Sequence, residues 1–328
     1  MSELAEAANV DVSTVSRALN DSPLVKAETK AHILQIATDL GYVINSSARS
    51  LRRQSSETIG IVIPLRPDSG QTISDPFYLE MVGAVSTAAS RHGYDLIISV
   101  PEGEEQIAER RLLQTGRADG LIIIGQAGRL ERLNKLGALS DKVVVWGAHI
   151  ADSKYTVVGS DNIRGGELAV EHLFQRGRRR VLFIGETALP EVKLRYEGLQ
   201  KAHKAAGIVH DDALRLEENF GGQHAFYAVS DYLSDGPEFD AIFAASDVLA
   251  MAAIHALQAA GKSAPGDVSV VGYDNIGQAS LLTPALTTID QHIAEGGRLM
   301  VDILLKKLAG SAVRSRTTST ELIVRDSS

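Results

Sequence analysis

The sequence predicts an α/β protein: a small N-terminal helix-turn-helix, then a core of two parallel, doubly wound sheets. Three observations predict it. Short helical runs near the N-terminus are punctuated by Asn9, Asp11 and Gly41. From Thr58 onward, strand-like apolar runs alternate with amphipathic helical runs, the pattern of parallel strands covered on both faces. About ten such strands over about 270 residues are too many for one ordinary doubly wound sheet, so the core should divide into two similar lobes.

The first helical run is Ser2-Glu3-Leu4-Ala5-Glu6-Ala7-Ala8. Asn9 tolerates the left-handed conformation that ends a helix. Asp11 can cap the next helix by accepting from amides two or three residues further on. Leu4, Ala8, Val10, Val15 and Leu19 are spaced so that two short helices pack at a steep angle, as in a helix-turn-helix. The second helix then turns Val12, Ser13, Ser16 and Arg17 outward. Small hydroxylated side chains and one Arg suit base edges and phosphates in a major groove; a plain three-helix module is the alternative from this segment alone. A third helix is expected from about Lys26 to Leu40, with Ile33, Ile36, Ala37 and Leu40 inward and Gly41 as its stop.

The strings STVSRALN (13–20), LGY (40–42), NSSARSLRR (45–53) and ETIGIVIP (57–64) follow in order. Together they resemble the DNA-binding head, hinge helix and first core strand of the lactose-repressor (LacI/GalR) family, and the resemblance covers essentially the whole chain. It implies a head over residues 1–44, a hinge helix and linker over 45–56, and an effector-binding and dimerisation core of periplasmic-binding-protein type over 57–328. The lobes it implies are 57–158 with 291–318, and 159–290 with 319–328. DNA contacts are implied for Val12, Ser13, Thr14, Ser16, Arg17 and Asn20, and for Ala48, Leu51 and Arg52 of the hinge. Leu51 would enter the minor groove as a wedge that kinks the duplex. Three features depart from the family pattern. The chain begins close to Leu4, where relatives usually have more residues. Lys26 stands where a Ser usually caps the third helix, a change worth ~1 kcal/mol. Ile44 replaces the Pro that commonly precedes Asn45, which leaves the hinge entry less preorganised.

The chain has 328 residues, 44 % hydrophobic and 23 % charged, ordinary for a globular protein with large cores. No apolar run is long enough to span a membrane. The N-terminus lacks a basic-then-apolar signal pattern, so a cytoplasmic location is expected. There is no cysteine, which excludes disulfides, thiolate zinc sites and cysteine nucleophiles. Net charge is −8. Residues 1–56 carry six Lys or Arg and six Asp or Glu, so the acidic excess lies wholly in the core, with 27 cations against 35 acids. Arg49, Arg52 and Arg53 concentrate positive charge in the hinge. A neutral head implies modest non-specific DNA affinity, because that affinity comes from phosphate neutralisation.

Strand-like runs fall at residues 59–64, 95–100, 120–124, 143–146, 157–159, 181–185, 214–217, 241–245, 268–272 and 286–289, and a further one at 320–324. Amphipathic helical runs fall at 77–92, 163–176, 192–206, 223–234 and 248–260. The family resemblance implies three crossings between lobes, near Gly159, Asp290 and Thr318. A ligand should then lie in the interlobe cleft, outside the carboxyl ends of the strands. No phosphate-binding glycine loop, zinc-protease motif or nucleophile elbow is present, and the nine His lack metal spacing. No cofactor, metal or catalytic residue is expected, and the chain does not read as an enzyme.

Several residues are better explained by ligand binding. Asp75-Pro76-Phe77-Tyr78 opens the first core helix, with Pro at its start; the family places cleft contacts here, and Phe77 fits plain core equally well. Trp146, the single Trp, ends a strand, where it could stack on a sugar face or be structural. The resemblance gives Arg195 a reach to the ligand, since Arg can donate bidentately. It likewise implicates the aromatic Phe220 and the strand-end acid Asp274. Ser246 and Asp247 follow a strand, where Asp247 serves either the ligand or the cap of the next helix. Gln291 follows another strand at a lobe crossing.

The expected function is that of a sequence-specific regulator, a repressor of carbohydrate-use genes. It would bind double-stranded, inverted-repeat operator DNA as a homodimer and answer to a small sugar effector. With no heptad helix after 320–324, a dimer is expected rather than a tetramer. Three alternatives are a purine- or other metabolite-responsive regulator of the same architecture, a sugar-binding receptor without DNA function, and a sugar-processing enzyme. The receptor would need a signal peptide, and the enzyme a catalytic pair in the cleft.

Overall fold

The computed structural model describes residues 1–19, 22–42, 55–66, 69–101 and 107–328. The chain forms two units, Met1–Glu57 and Thr58–Ser328, each taken here by itself.

The first unit holds α1 (Ser2–Ala7), α2 (Val12–Leu19) and α3 (Ala27–Asp39). Asn9 has φ +50°, in the left-handed region. The Asp11 carbonyl accepts from the Thr14 and Val15 amides and starts α2. Leu4, Ala5, Ala8, Val15, Ala18, Leu19, Ile33 and Ala37 form one buried cluster, with Val10, Val25, Ile36 and Tyr42 against it. Gly41 (φ +61°) ends α3. Its amide donates to the Thr38 carbonyl and that of Tyr42 to Ala37, a paired closure that requires the left-handed residue. Leu40 departs from expectation: it is 56 % exposed rather than inward. It occupies the C-cap, where the chain has begun to turn away from the packed face. Lys26 makes no side-chain cap at the other end of α3.

The second unit runs β1 (Thr58–Val62), α4 (Pro76–Ser90), β2 (Asp95–Ser99), α5 (Ile107–Gln114), β3 (Gly120–Ile124), α6 (Leu130–Leu139), β4 (Val143–Trp146) and β5 (Thr156–Ser160). It continues with α7 (Asn162–Gln175), β6 (Val181–Ile184), α8 (Pro190–Ala206), β7 (Arg215–Leu216), α9 (Gly222–Asp235), β8 (Ala241–Ala244), α10 (Asp247–Ala259) and β9 (Ser269–Asp274). The last elements are β10 (Thr287–Asp290), α11 (Ile293–Leu308), β11 (Arg316–Thr318) and β12 (Glu321–Ile323).

Two six-stranded sheets result, ordered β11-β5-β4-β3-β1-β2 and β12-β10-β9-β8-β6-β7. Every pairing is parallel except β10 with β12, where Asp290 faces Glu321. Strands β3, β4, β5, β6, β8 and β9 are buried at every residue, which is why they read as unbroken apolar runs rather than alternating ones. Three segments cross between the sheets, after β5, after β10 and after β11. Gly159 and Ser160 stay in the first sheet, so the first crossing falls just beyond the sequence break. Thr318 Oγ1 donates to the Gln291 carbonyl at 3.1 Å and ties the second and third crossings together.

Candidate functional site

In the first unit, α2 buries Val15, Ala18 and Leu19 and exposes Val12, Ser13 and Arg17, with Thr14 and Ser16 half-buried. This exposed N-terminal face is the one a major groove can accept. Asn20, Ala48, Leu51 and Arg52 lie outside the described residues.

In the second unit, a polar cleft opens between the lobes at the carboxyl ends of both sheets. Asp75, Phe77, Trp146, Arg195, Phe220, Ser246, Asp274 and Gln291 all line it. Their placement follows from local structure. Asp75 caps α4 by accepting from the Phe77 amide at 3.0 Å, and Pro76 follows at the first helical position. Phe77 and Tyr78 meet edge to face, centroids 5.5 Å apart. Trp146 ends β4 above Gly296 of α11; a Cβ there would fall 2.2 Å from the ring. Ser246 caps α10 by accepting from the Leu249 amide at 3.2 Å.

Arg195, buried on α8, has its guanidinium 3.6 Å from the Tyr273 ring centroid. Its Nε donates to Asn162 Oδ1 at 2.9 Å and a terminal nitrogen donates to the Ala245 carbonyl. Gln291 Nε2 donates to Asp274 Oδ1 at 2.5 Å, while Gln291 Oε1 accepts from Ser160 at 3.2 Å. Asp274 sits at φ +121° and Asn275 at +58°. Such backbone costs roughly 1–3 kcal/mol per residue and collects at functional sites. Burial pushes the Asp274 carboxyl well above the usual carboxylate range, the Arg195 charge opposing it only in part. Burial also raises Asp75 and Tyr78.

Asp247 requires a correction, because it does not line the cleft. It is fully buried beneath it, accepting from Thr288 Oγ1 at 2.5 Å and from the Ile276 amide at 2.9 Å. Ser246 performs the capping, and the following side chain turns into the protein. Gln71, Tyr78, Ser160, Asn162 and Glu191 also line the cleft and were not expected there. Ser160 ends β5 and Asn162 opens α7, so the strand-end rule reaches those two; nothing in the local pattern distinguishes the rest.

A helix-turn-helix unit joined in one chain to a two-lobed core with a polar interlobe cleft is the build of a ligand-responsive DNA-binding regulator. The family described as "Periplasmic binding proteins and sugar binding domain of LacI family" matches residues 56–325, and "Bacterial regulatory proteins, lacI family" matches residues 1–45. The chain is 31 % identical over 315 residues to the ribose operon repressor of Escherichia coli (strain K12), covering 94 % of this chain and 92 % of that one. It is 30 % identical to the HTH-type transcriptional repressor PurR of Photobacterium profundum, covering 99 % and 97 %. Among solved structures, a transcriptional regulator CelR–cellobiose complex superposes with TM-score 0.73 at 28 % identity, over 99 % of this chain and 98 % of that one. The lac repressor dimer bound to operator and the anti-inducer ONPF superposes with TM-score 0.85 at 25 % identity, over 99 % and 97 %. The chain belongs to the LacI family of bacterial regulatory proteins. It is a transcription regulator and not an enzyme. Among the described residues, no helix is long and apolar enough to cross a membrane.

Proposed function

We propose that the protein is a cytoplasmic repressor of carbohydrate-use genes that binds an inverted-repeat operator as a homodimer and is controlled by a small sugar in the interlobe cleft. One observation carries the reading: Asp75, Arg195, Asp274 and Gln291 converge on a cleft that also presents Trp146 and Phe220. Carboxylates and amides that can accept from and donate to vicinal hydroxyls, beside an aromatic face, are what a sugar ring requires. Relatives whose names or titles carry ribose and cellobiose support the same class. A ligand touching both lobes binds one interlobe arrangement better than another, and so can bias a two-state equilibrium that the DNA-binding unit reads.

A purine effector is the second reading. The cleft's aromatics, Phe77, Tyr78, Trp146 and Phe220, and the PurR relative favour it. One titration separates the two. Trp146 is the single Trp, so a ligand that reaches it changes the protein's tryptophan emission. The expected result is a saturable change with one mono- or disaccharide, accompanied by altered retention on operator DNA. A response to hypoxanthine or guanine and to no sugar would replace the carbohydrate reading with the purine one.

A further inference from the structure

Asp290, His292 and Glu321 meet at the second lobe crossing, and none of the three lines the cleft. Asp290 ends β10, and Glu321 opens β12 directly opposite it in the antiparallel pair. The register sets two acids side by side on one face of the second sheet, an arrangement that is ordinarily destabilising. His292 is the residue before α11, the helix that packs on β3 and β4 of the first sheet. One of the three side chains therefore moves with the first lobe and two with the second.

The imidazole stands between the acids and bonds neither. Its Nδ1 is 3.6 Å from Asp290 Oδ2 and its Nε2 is 4.0 Å from Glu321 Oε1, both beyond a hydrogen bond. One ligand atom from each residue can be chosen so that all three lie within 4.8 Å of one another. Two ligands on one tetrahedral Zn2+, with bonds of about 2.1 Å, stand about 3.4 Å apart. A small turn of the side chains closes the set around an ion, and Glu321, 60 % exposed, has room to make it. Asp290 is already oriented. Its Oδ1 accepts from the His292 amide at 2.7 Å, its Oδ2 accepts from Asn275 Nδ2 at 3.1 Å, and Asn275 Oδ1 accepts from Arg325 at 2.7 Å. Outer hydrogen bonds of this kind hold a metal-ligating carboxylate in place, and two of its lone pairs remain for an ion. An Asp that accepts from the amide two residues on is also an ordinary turn. That turn does not account for an imidazole aimed at Asp290 or for a second acid beyond it. Glu321 comes from a distant strand, so sequence spacing does not announce the set.

We propose that Asp290, His292 and Glu321 form a divalent transition-metal site, best matched to Zn2+, that pins α11 of the first lobe to the β10–β12 pair of the second. One imidazole and two carboxylates, with a position left for water, suit that ion, whereas Mg2+ and Ca2+ prefer all-oxygen sites. The proposal is independent of which effector the cleft takes. It is tested on the untagged full chain, stripped with EDTA and dialysed, by calorimetric titration with ZnCl2 in excess MgCl2 and by thermal melts with and without ZnCl2. The wild type is expected to bind one Zn2+ per chain and to gain Tm, because an ion held only by the folded chain stabilises it by mass action. Glu321→Gln keeps length and polarity at an exposed position and removes an anionic ligand. His292→Asn keeps a residue that tolerates the left-handed backbone, φ +55° here, and removes the imidazole. Each is expected to weaken Zn2+ at least about tenfold and to lose the gain in Tm. Zn2+ bound equally by the wild type and both variants would be held by other residues, such as another of the chain's nine His, and would overturn the proposal. A wild type that binds no Zn2+ overturns it too, and a lower Tm in both variants would then make His292 a protonated bridge between two acids.

Discussion

Arg66 and Glu186 join the two lobes through a two-pronged ion pair. One guanidinium nitrogen lies 2.6 Å from Glu186 Oε1 and the other bonds Oε2. Arg66 follows β1 in one sheet and Glu186 follows β6 in the other. Two further contacts bridge the lobes: the Gly277 amide donates to Glu80 Oε1 at 2.7 Å, and a Cβ on Gly221 would lie 2.9 Å from the Ser69 carbonyl. The ion pair is partly solvated, with side chains 34 % and 21 % exposed, so its worth is limited to ~0–1 kcal/mol and depends on salt. Arg66→Ala should therefore weaken effector binding about two- to fivefold at low ionic strength and less at high. Equal affinities for mutant and wild type at low salt would show that the pair does not favour the interlobe arrangement that binds the effector.

Arg17 stands exposed on α2 among Val12 and Ser13. If it donates bidentately to a guanine, Arg17→Ala should cost ~1–3 kcal/mol of discrimination between operator and random DNA. The measurement is a pair of binding curves at matched salt. A loss that is the same on both DNAs would reduce Arg17 to a phosphate contact.

Much of the fold was legible in the sequence because its signals are local. Unbroken runs such as Gly120–Ile124 announce strands buried on both faces, and Asn9 and Gly41 mark turns by their tolerance of positive φ. The cleft was legible where a residue ends a strand, as Trp146 and Asp274 do, or directly follows one, as Gln291 does. It was not legible where contacts join distant parts of the chain. The Trp146 ring over Gly296, and Arg195 over Tyr273, leave no trace in their own neighbourhoods. Neighbouring residues can also divide their roles: Ser246 lines the cleft while Asp247 turns inward. The sequence pattern treats the two alike.

Asp274 joins a strained backbone, a buried carboxyl and a bond from Gln291 in one place. Asp274→Asn keeps the shape, but it replaces a carboxyl oxygen that can accept, or donate when protonated, by an amide nitrogen that can only donate. The effector response should shift at least tenfold, ~1.4 kcal/mol or more, with operator affinity in the absence of effector preserved. An unchanged response curve would take Asp274 out of the site.

Asp247 predicts how stability follows pH. Its carboxyl is fully buried, held by Thr288 and the Ile276 amide, and burial pushes its pKa up to about 7. In the unfolded chain an Asp titrates near ~3.9. Between those values the folded chain holds a proton that the unfolded chain has released. By linkage, stability then falls as pH rises. The contribution is complete below about pH 4 and is lost as pH climbs through about 7. Asp274 acts in the same direction, so removing one carboxyl should flatten the profile without abolishing it. Thermal melts between about pH 5 and pH 8 should show the wild type losing stability faster than Asp247→Asn, by at most ~1.4 kcal/mol per pH unit at the steepest point. The amide can still accept from Ile276 and donate to Thr288, so the mutant should fold, and its deficit relative to wild type should shrink as pH rises. Parallel profiles for the two proteins would mean that Asp247 is ionised in the folded state across the whole range, with its two donors outweighing burial.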